Sequence, residues 1–174
     1  SVVFPKIATI ENAKVDLPVD PSVNWFVDYN PESSDEETGL PIGTLRILPF
    51  MAEHDVPCYG YQVTSTATDE KLVYITDSAY VRYTFTGLTH IMIEANYAED
   101  IMIGNVRDGK VPLPLDERVA GTHMSIDTLI DLLRANDMTK VRQIYLLHLS
   151  DMSSDAERFK KLVQQETGAE VYIA

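Results

Sequence analysis

From Thr44 onward, apolar residues come in short blocks separated by turn-forming residues. TLRILPF (44–50), GYQVTST (60–66) and KLVYIT (71–76) are brief and rich in β-branched or aromatic side chains, and they predict three adjacent strands. Only ATDE (67–70) separates the second from the third, a length that suits a hairpin. HIMIEA (90–95) predicts a fourth strand, and YAEDIMIGNVRDG (97–109) a short helix closed near Gly109. In MSIDTLIDLLRAND (124–137) the period changes: Ile126, Leu129, Ile130 and Leu133 share one helical face, with Ser125 as N-cap. VRQIYLLHL (141–149) predicts a buried strand. SSDAERFKKLVQQETG (153–168) predicts a helix opened by a Ser154–Glu157 capping box and stopped at Gly168, and EVYIA (170–174) a closing strand. The expected arrangement is a mixed sheet with helices 124–136 and 154–167 on one side, an α/β fold in which helices pack on strands.

Composition bounds this picture. A chain of 174 residues with 45% apolar content can bury one substantial core. Residues 1–43 read as an acidic, loop-rich N-terminal segment, in which PESSDEETG (31–39) concentrates acids among turn formers, and 44–174 read as the folded unit. No run approaches the roughly 18 uninterrupted apolar residues of a membrane helix, and SVVFPKIATIENAK lacks a basic-then-apolar leader pattern. The expectation is a soluble, cytoplasmic protein without a membrane partner, and the single Cys58 excludes an internal disulfide. With 14 basic and 27 acidic residues the net charge is −13, which disfavours non-specific attraction to a phosphate backbone. Any chemistry on nucleic acid must then be local and metal-assisted.

Against that acidic background, four residues fall into an order. His54 follows a predicted strand, Asp77 and His148 end others, and His123 precedes a helix. Strand ends are where layered α/β proteins gather their working groups, and imidazole with carboxylate is ligand chemistry for zinc or manganese. Other polar residues have simpler readings. His90, in the alternating run THIMIEAN, suits strand-edge packing. Asp55 either orients the His54 imidazole or caps its loop. Asp151 and Ser150 read as the lead into the last helix, and Tyr59, Tyr61 and Tyr74 as hairpin packing.

Taken together, HDVPCYGY (54–61), VYITDS (73–78), IMIEANYAED (91–100), GTHMSIDTLIDLL (121–133) and IYLLHLSDMSSD (144–155) resemble the C-terminal half of the metallo-β-lactamase fold, in its YycJ/WalJ-like and ribonuclease-Z-like branch. The resemblance covers about residues 44–174 and implies part of an αββα sandwich. It implies a two-metal phosphodiesterase or nuclease site for zinc or manganese, with a nucleotide or nucleic-acid phosphodiester as substrate. His54, Asp77 and His148 would be metal ligands, Asp77 bridging the two ions. His123 would be the catalytic group that passes a proton to the leaving oxygen. Glu94 and Asn96 match an E-x-N turn whose role is either substrate contact or loop hydrogen bonding.

One signature of that family, H-x-H-x-D-H, does not occur here: His123 and His148, the two histidines closest in sequence, are 25 residues apart. Each ion would keep two protein ligands where a catalytic zinc typically has three, so binding by this chain alone is expected to be weak and its activity low. The sequence is therefore expected to hold part of a site that an upstream half or a second chain completes. The alternative is a non-catalytic half-domain that binds a partner or self-associates as a homo-oligomer.

Overall fold

The computed structural model describes residues 40–110 and 113–174, with the side chains of 42–110 and 118–174. Strands β1 (Leu40–Ile42), β2 (Leu45–Ala52), β3 (Cys58–Ser65) and β4 (Lys71–Ile75) form an antiparallel meander. Strands β5 (His90–Glu94), β6 (Gln143–Leu147) and β7 (Glu170–Ile173) then join β4 in parallel, giving a seven-stranded mixed sheet in strictly sequential order. The acidic segment read over 1–43 lies outside the described residues except for its last four, of which Leu40–Ile42 form the edge strand β1.

Sequential order has a consequence for layering. Parallel strands that always advance in one direction, joined by right-handed crossovers, must put every crossover on the same face of the sheet. The crossovers hold α1 (Glu99–Arg107), α2 (Leu113–Thr122) and α3 (Ile126–Arg134) between β5 and β6, and α4 (Ala156–Thr167) between β6 and β7. The core matches: the cross-strand row Val73, Ile91, Ile144 and Val171 is buried with Ile126, Leu129 and Leu133 of α3 and Phe159 and Val163 of α4 in one cluster. Helices therefore flank one side of the sheet, as the hydrophobic pattern predicts.

The opposite face carries a second row in register: Pro49, Tyr61, Tyr74, Met92, Tyr145 and Tyr172. Its members between the edges are half-buried, and Tyr172, stacked on Tyr145 at 5.0 Å, is 37% exposed.

Several local features differ from the sequence reading. The last helix begins at Ala156, and its N-cap is Asp155, whose carboxylate accepts from the Arg158 N–H at 3.0 Å. Ser154 instead donates its hydroxyl to the Ser150 carbonyl, so the expected Ser154–Glu157 capping box does not form and the cap falls one residue later. Gly168 ends the helix in the left-handed region, as expected of a C-terminal glycine. Helix α2 goes beyond the elements the pattern predicts, because Pro114 and Gly121 both read as breakers; Pro114 falls in the first turn, where a missing N–H costs nothing. On the meander, Gly60 lies under the buried Phe50 ring, where a Cβ would come within 2.3 Å of it. Phe50 in turn packs on Tyr83 and Phe85 of the irregular 76–89 crossover, whose Val81, Phe85 and Leu88 close that end of the core.

Candidate functional site

The carboxyl ends of β4, β5 and β6 lie side by side, and the chain places one polar group at each. Asp77 stands two residues beyond β4, Glu94 is the last residue of β5, and His148 is the first beyond β6. Asp77 and His148 both adopt left-handed backbone, with φ of 51° and 55°. For a histidine this conformation costs on the order of 1 kcal/mol, strain that the surrounding contacts must offset. Asn96 supplies one such contact: its amide donates to the His148 carbonyl at 2.8 Å, while its own carbonyl accepts from Ser150 N–H and its N–H donates to the Met124 carbonyl. A bridge between Tyr97 and Ser125 continues the lacing. The 95–97 turn thus ties the loop carrying His148 to the loop carrying His123, the loop-bonding role of the two open for Asn96.

Glu94 is the anchor of the cluster. Its side chain is fully buried; Oε2 accepts from the Ser78 N–H at 3.0 Å, and Oε1 lies 2.7 Å from His123 Nδ1 and 3.2 Å from His148 Nδ1. Burial pushes its carboxyl above the usual carboxylate range, opposed by the Ser78 N–H and by His123 and His148. An ionised Glu94 accepts from both imidazoles, which puts each proton on Nδ1 and leaves each Nε2 lone pair free. The two rings meet edge to face at 5.0 Å. Asp77 Oδ1 is 3.4 Å from His148 Nδ1 and 3.9 Å from His123 Nδ1.

Asp77, His123 and His148 each offer a ligand atom, and the three atoms lie within 4.8 Å of one another. Two imidazoles and a carboxylate, with an open side toward solvent, fit the donor set and ligand number of a zinc or similar transition-metal ion. Of the residues singled out in the sequence, the structure brings these three together. His54 stands beside them: its ring centre is 5.7 Å from that of His123, and it is not one of the convergent trio. His54 Nδ1 lies 3.0 Å from the Thr122 carbonyl, and its Nε2 lies 3.3 Å from Asp55 Oδ1, a hydrogen-bonded pair when the ring carries both protons. His123, singled out as a proton donor, sits inside the group able to hold an ion. His90 lies at the other end of the sheet, buried and 2.9 Å from the Thr89 hydroxyl.

Sequence reasoning missed the depth of Glu94. A signal was present: a lone acid closing the otherwise apolar strand IMIE has to be buried with partners or not at all. Cys58 also lies near the cluster. Burial raises its thiol, and Asp77 and Glu94 add negative potential, so at neutral pH it is a thiol donating toward the Thr76 carbonyl rather than a thiolate ligand.

At the level of sequence, no family model and no curated protein matches the chain. Among solved structures it is similar to the metallo-β-lactamase fold protein YhfI from Bacillus subtilis, with a TM-score of 0.52 at 18% identity over 84% of this chain. The fold is that of the metallo-β-lactamases. The chain spans 51% of the YhfI structure, about half of its length. Human tRNase Z, short form, aligns over 78% of this chain and 42% of its own, at 14% identity and a TM-score of 0.46. Unliganded yeast PDE1 aligns over 78% and 45%, at 13% identity and 0.46. In this metallo-β-lactamase fold the cluster occupies the edge of the sheet from which the β4, β5 and β6 loops emerge. No helix among the described residues is long and apolar enough to cross a membrane.

Proposed function

We propose that the chain is part of a metal-dependent phosphodiester hydrolase, and that Asp77, His148 and His54 belong to its metal site with His123 as the proton donor. The observation that carries this reading is the convergence of Asp77, His123 and His148, with both imidazoles held by the buried Glu94. A bound zinc or manganese would supply Lewis-acid charge stabilisation and a nucleophilic water. Glu94 holds the His123 Nδ1–H, so Nε2 is the atom that exchanges a proton with the leaving oxygen. Glu94 also orients His148 so that it presents Nε2, and the Thr122 carbonyl holds His54 through Nδ1. Asp77, half-exposed and acceptor-only, can serve two ions through its two oxygens. The branch resembling YycJ/WalJ and ribonuclease Z, and the further ligands that an H-x-H-x-D-H segment would bring, belong to this proposal.

A second reading is supported by the tyrosine row. Half-buried Tyr61, Tyr74 and Tyr145 with exposed Tyr172 form a broad amphipathic sheet face of the kind that a second layer covers. On this reading the chain is a half-domain completed by an upstream segment or another chain. Zinc titration followed by hydrolysis of bis(p-nitrophenyl) phosphate separates the two. The first requires metal uptake that falls at least tenfold in Asp77→Ala and His148→Ala, and turnover that falls more than uptake in His123→Ala. Absence of metal uptake by wild-type chain, alone and after addition of an H-x-H-x-D-H-bearing segment, would overturn it.

A further inference from the structure

The loop between β2 and β3 carries acid, imidazole and acid in succession, Glu53, His54 and Asp55, and each acid holds an arginine from a different direction. Arg82 Nε lies 2.7 Å from Glu53 Oε1, and Arg118 Nη2 lies 3.4 Å from Asp55 Oδ2. The loop is stitched to the Asp77 side by Ser78, whose hydroxyl accepts from Glu53 N–H, and by Ala79, whose N–H donates to the Glu53 carbonyl. It is stitched to the His123 side by the contact between His54 and the Thr122 carbonyl. Both guanidiniums therefore stand on the rim of the Asp77–His123–His148 cluster, one on each flank of His54. Their side chains are 70% and 71% exposed, and each ion pair engages one nitrogen, leaving most of the five N–H donors of each fork turned to solvent.

Exposed single-point pairs of this kind contribute little to stability, so exchanging the carboxylate for another anion costs little. The local charge makes the exchange meaningful. Glu53, Asp55, Asp77 and Glu94 make the cluster strongly acidic in a chain of net charge −13, so an anionic substrate needs cations held at the rim. Between Asp77 and Arg82 the same loop presents Tyr80, 55% exposed, a ring with nothing to gain from solvent and a surface on which a base can stack.

We infer that Arg82 and Arg118 bind the phosphates flanking the scissile one in a single-stranded nucleic-acid chain, releasing Glu53 and Asp55, while Tyr80 stacks on an adjacent base. This inference rests on the phosphodiesterase reading for the position of the scissile phosphate, yet the arginines can be tested without turnover. The probe is a fluorescently labelled ten-nucleotide oligothymidylate, followed by anisotropy at several NaCl concentrations in EDTA, with the full 174-residue chain. Arg82→Ala and Arg118→Ala are each expected to weaken binding about fivefold at low salt and to make the salt slope shallower by about 0.7. The corresponding lysine variants keep the slope and lose part of the affinity. Tyr80→Ala weakens binding with the slope unchanged, since stacking releases no counterions. Arg134→Ala, whose partner Glu166 lies with it at the C-terminal ends of α3 and α4, away from the cluster's edge of the sheet, serves as the control and leaves binding as it is.

Undetectable binding by the wild-type chain, unchanged binding in both arginine variants, or an equal loss in Arg134→Ala overturns the inference. Zinc titration of the same variants separates it from the reading beneath it. Metal uptake with indifferent arginines sinks only the rim assignment. Arginine-dependent binding without any metal uptake sinks the hydrolase reading and leaves the rim assignment standing.

Discussion

Replacing Glu94 by glutamine preserves shape and removes one charge, and the hydrogen bonds around it dictate the outcome. The carboxylate accepts at Oε2 from a Ser78 N–H that is fully buried, and at Oε1 from two imidazoles that retain access to solvent. A glutamine has one accepting oxygen and one NH2 group. Leaving the Ser78 N–H without a partner would cost about 1–3 kcal/mol, because no water reaches it. The amide oxygen is therefore expected to face Ser78, and the NH2 to face the two histidines. Its two hydrogens then meet the Nδ1 atoms of His123 and His148, and both rings must move their protons to Nε2 to accept them.

The fold loses little by this change. All three contacts survive, the two to histidine with donor and acceptor exchanged, and a buried charge whose protonation burial already favours is gone, so the net loss of stability should stay within about 1 kcal/mol. Metal binding loses much more. His148 now carries hydrogen on the atom that would coordinate, and loss of an orienting carboxylate of this type lowers metal affinity by about 10–100-fold. Urea denaturation in EDTA measures the first quantity and calorimetric zinc titration the second; nitrogen-15 shifts of the histidine rings report the tautomers directly. A Glu94→Gln protein that binds zinc as the wild type does, or one that unfolds with a loss of several kcal/mol, would refute this account of what Glu94 holds in place.

Gly60→Ala pushes a methyl into the ring of buried Phe50, so a loss of about 1–3 kcal/mol in urea denaturation is expected, partly recovered when combined with Phe50→Leu. Asp155→Ala should cost about 1 kcal/mol and Ser154→Ala markedly less, since only Asp155 caps the last helix; the reverse ranking in thermal melts would restore the capping box. Burial, reinforced by Arg142 and opposed by Glu70, holds His90 below its ordinary value of 6.5. The native state then binds fewer protons than the unfolded chain, so the stability from neutral His90 is complete above pH 6.5 and is lost as pH falls through the folded value. Melting curves of His90→Gln below that pH should decline less steeply than those of the wild type.

Most of the fold was legible because its periods are local. Helix α3 shows a three-to-four-residue spacing of apolar residues that survives in the burial of Ile126, Leu129 and Leu133. Strand boundaries moved by at most two residues, as at β2, read over 44–50 and observed over Leu45–Ala52. What failed was local in a different way. Helix α2 carries proline and glycine, and its position is set by what it must connect rather than by its own sequence. The cap of α4 moved from Ser154 to Asp155, because two adjacent residues of similar capping power compete and the Ser150 carbonyl claims the first.

The site was legible only as a list of strand-end residues, since nothing in the sequence states which of them share a hydrogen bond. Parallel pairing supplies that information. Ile75, Ile93 and Leu146 are in register, and so every strand ends at nearly the same height and the next polar residue of each meets the others. Glu94 belongs to the strand while Asp77 and His148 lie just past theirs, which is why the glutamate is buried and the others open to solvent. The arginines at the rim carry no such regularity. Arg82 comes from an irregular crossover and Arg118 from a helix the sequence did not announce, and both reach the His54 loop through contacts spanning 29 and 63 positions of chain. Their conjunction is a property of tertiary packing alone, and the site's electrostatics cannot be read from the sequence until that packing is known.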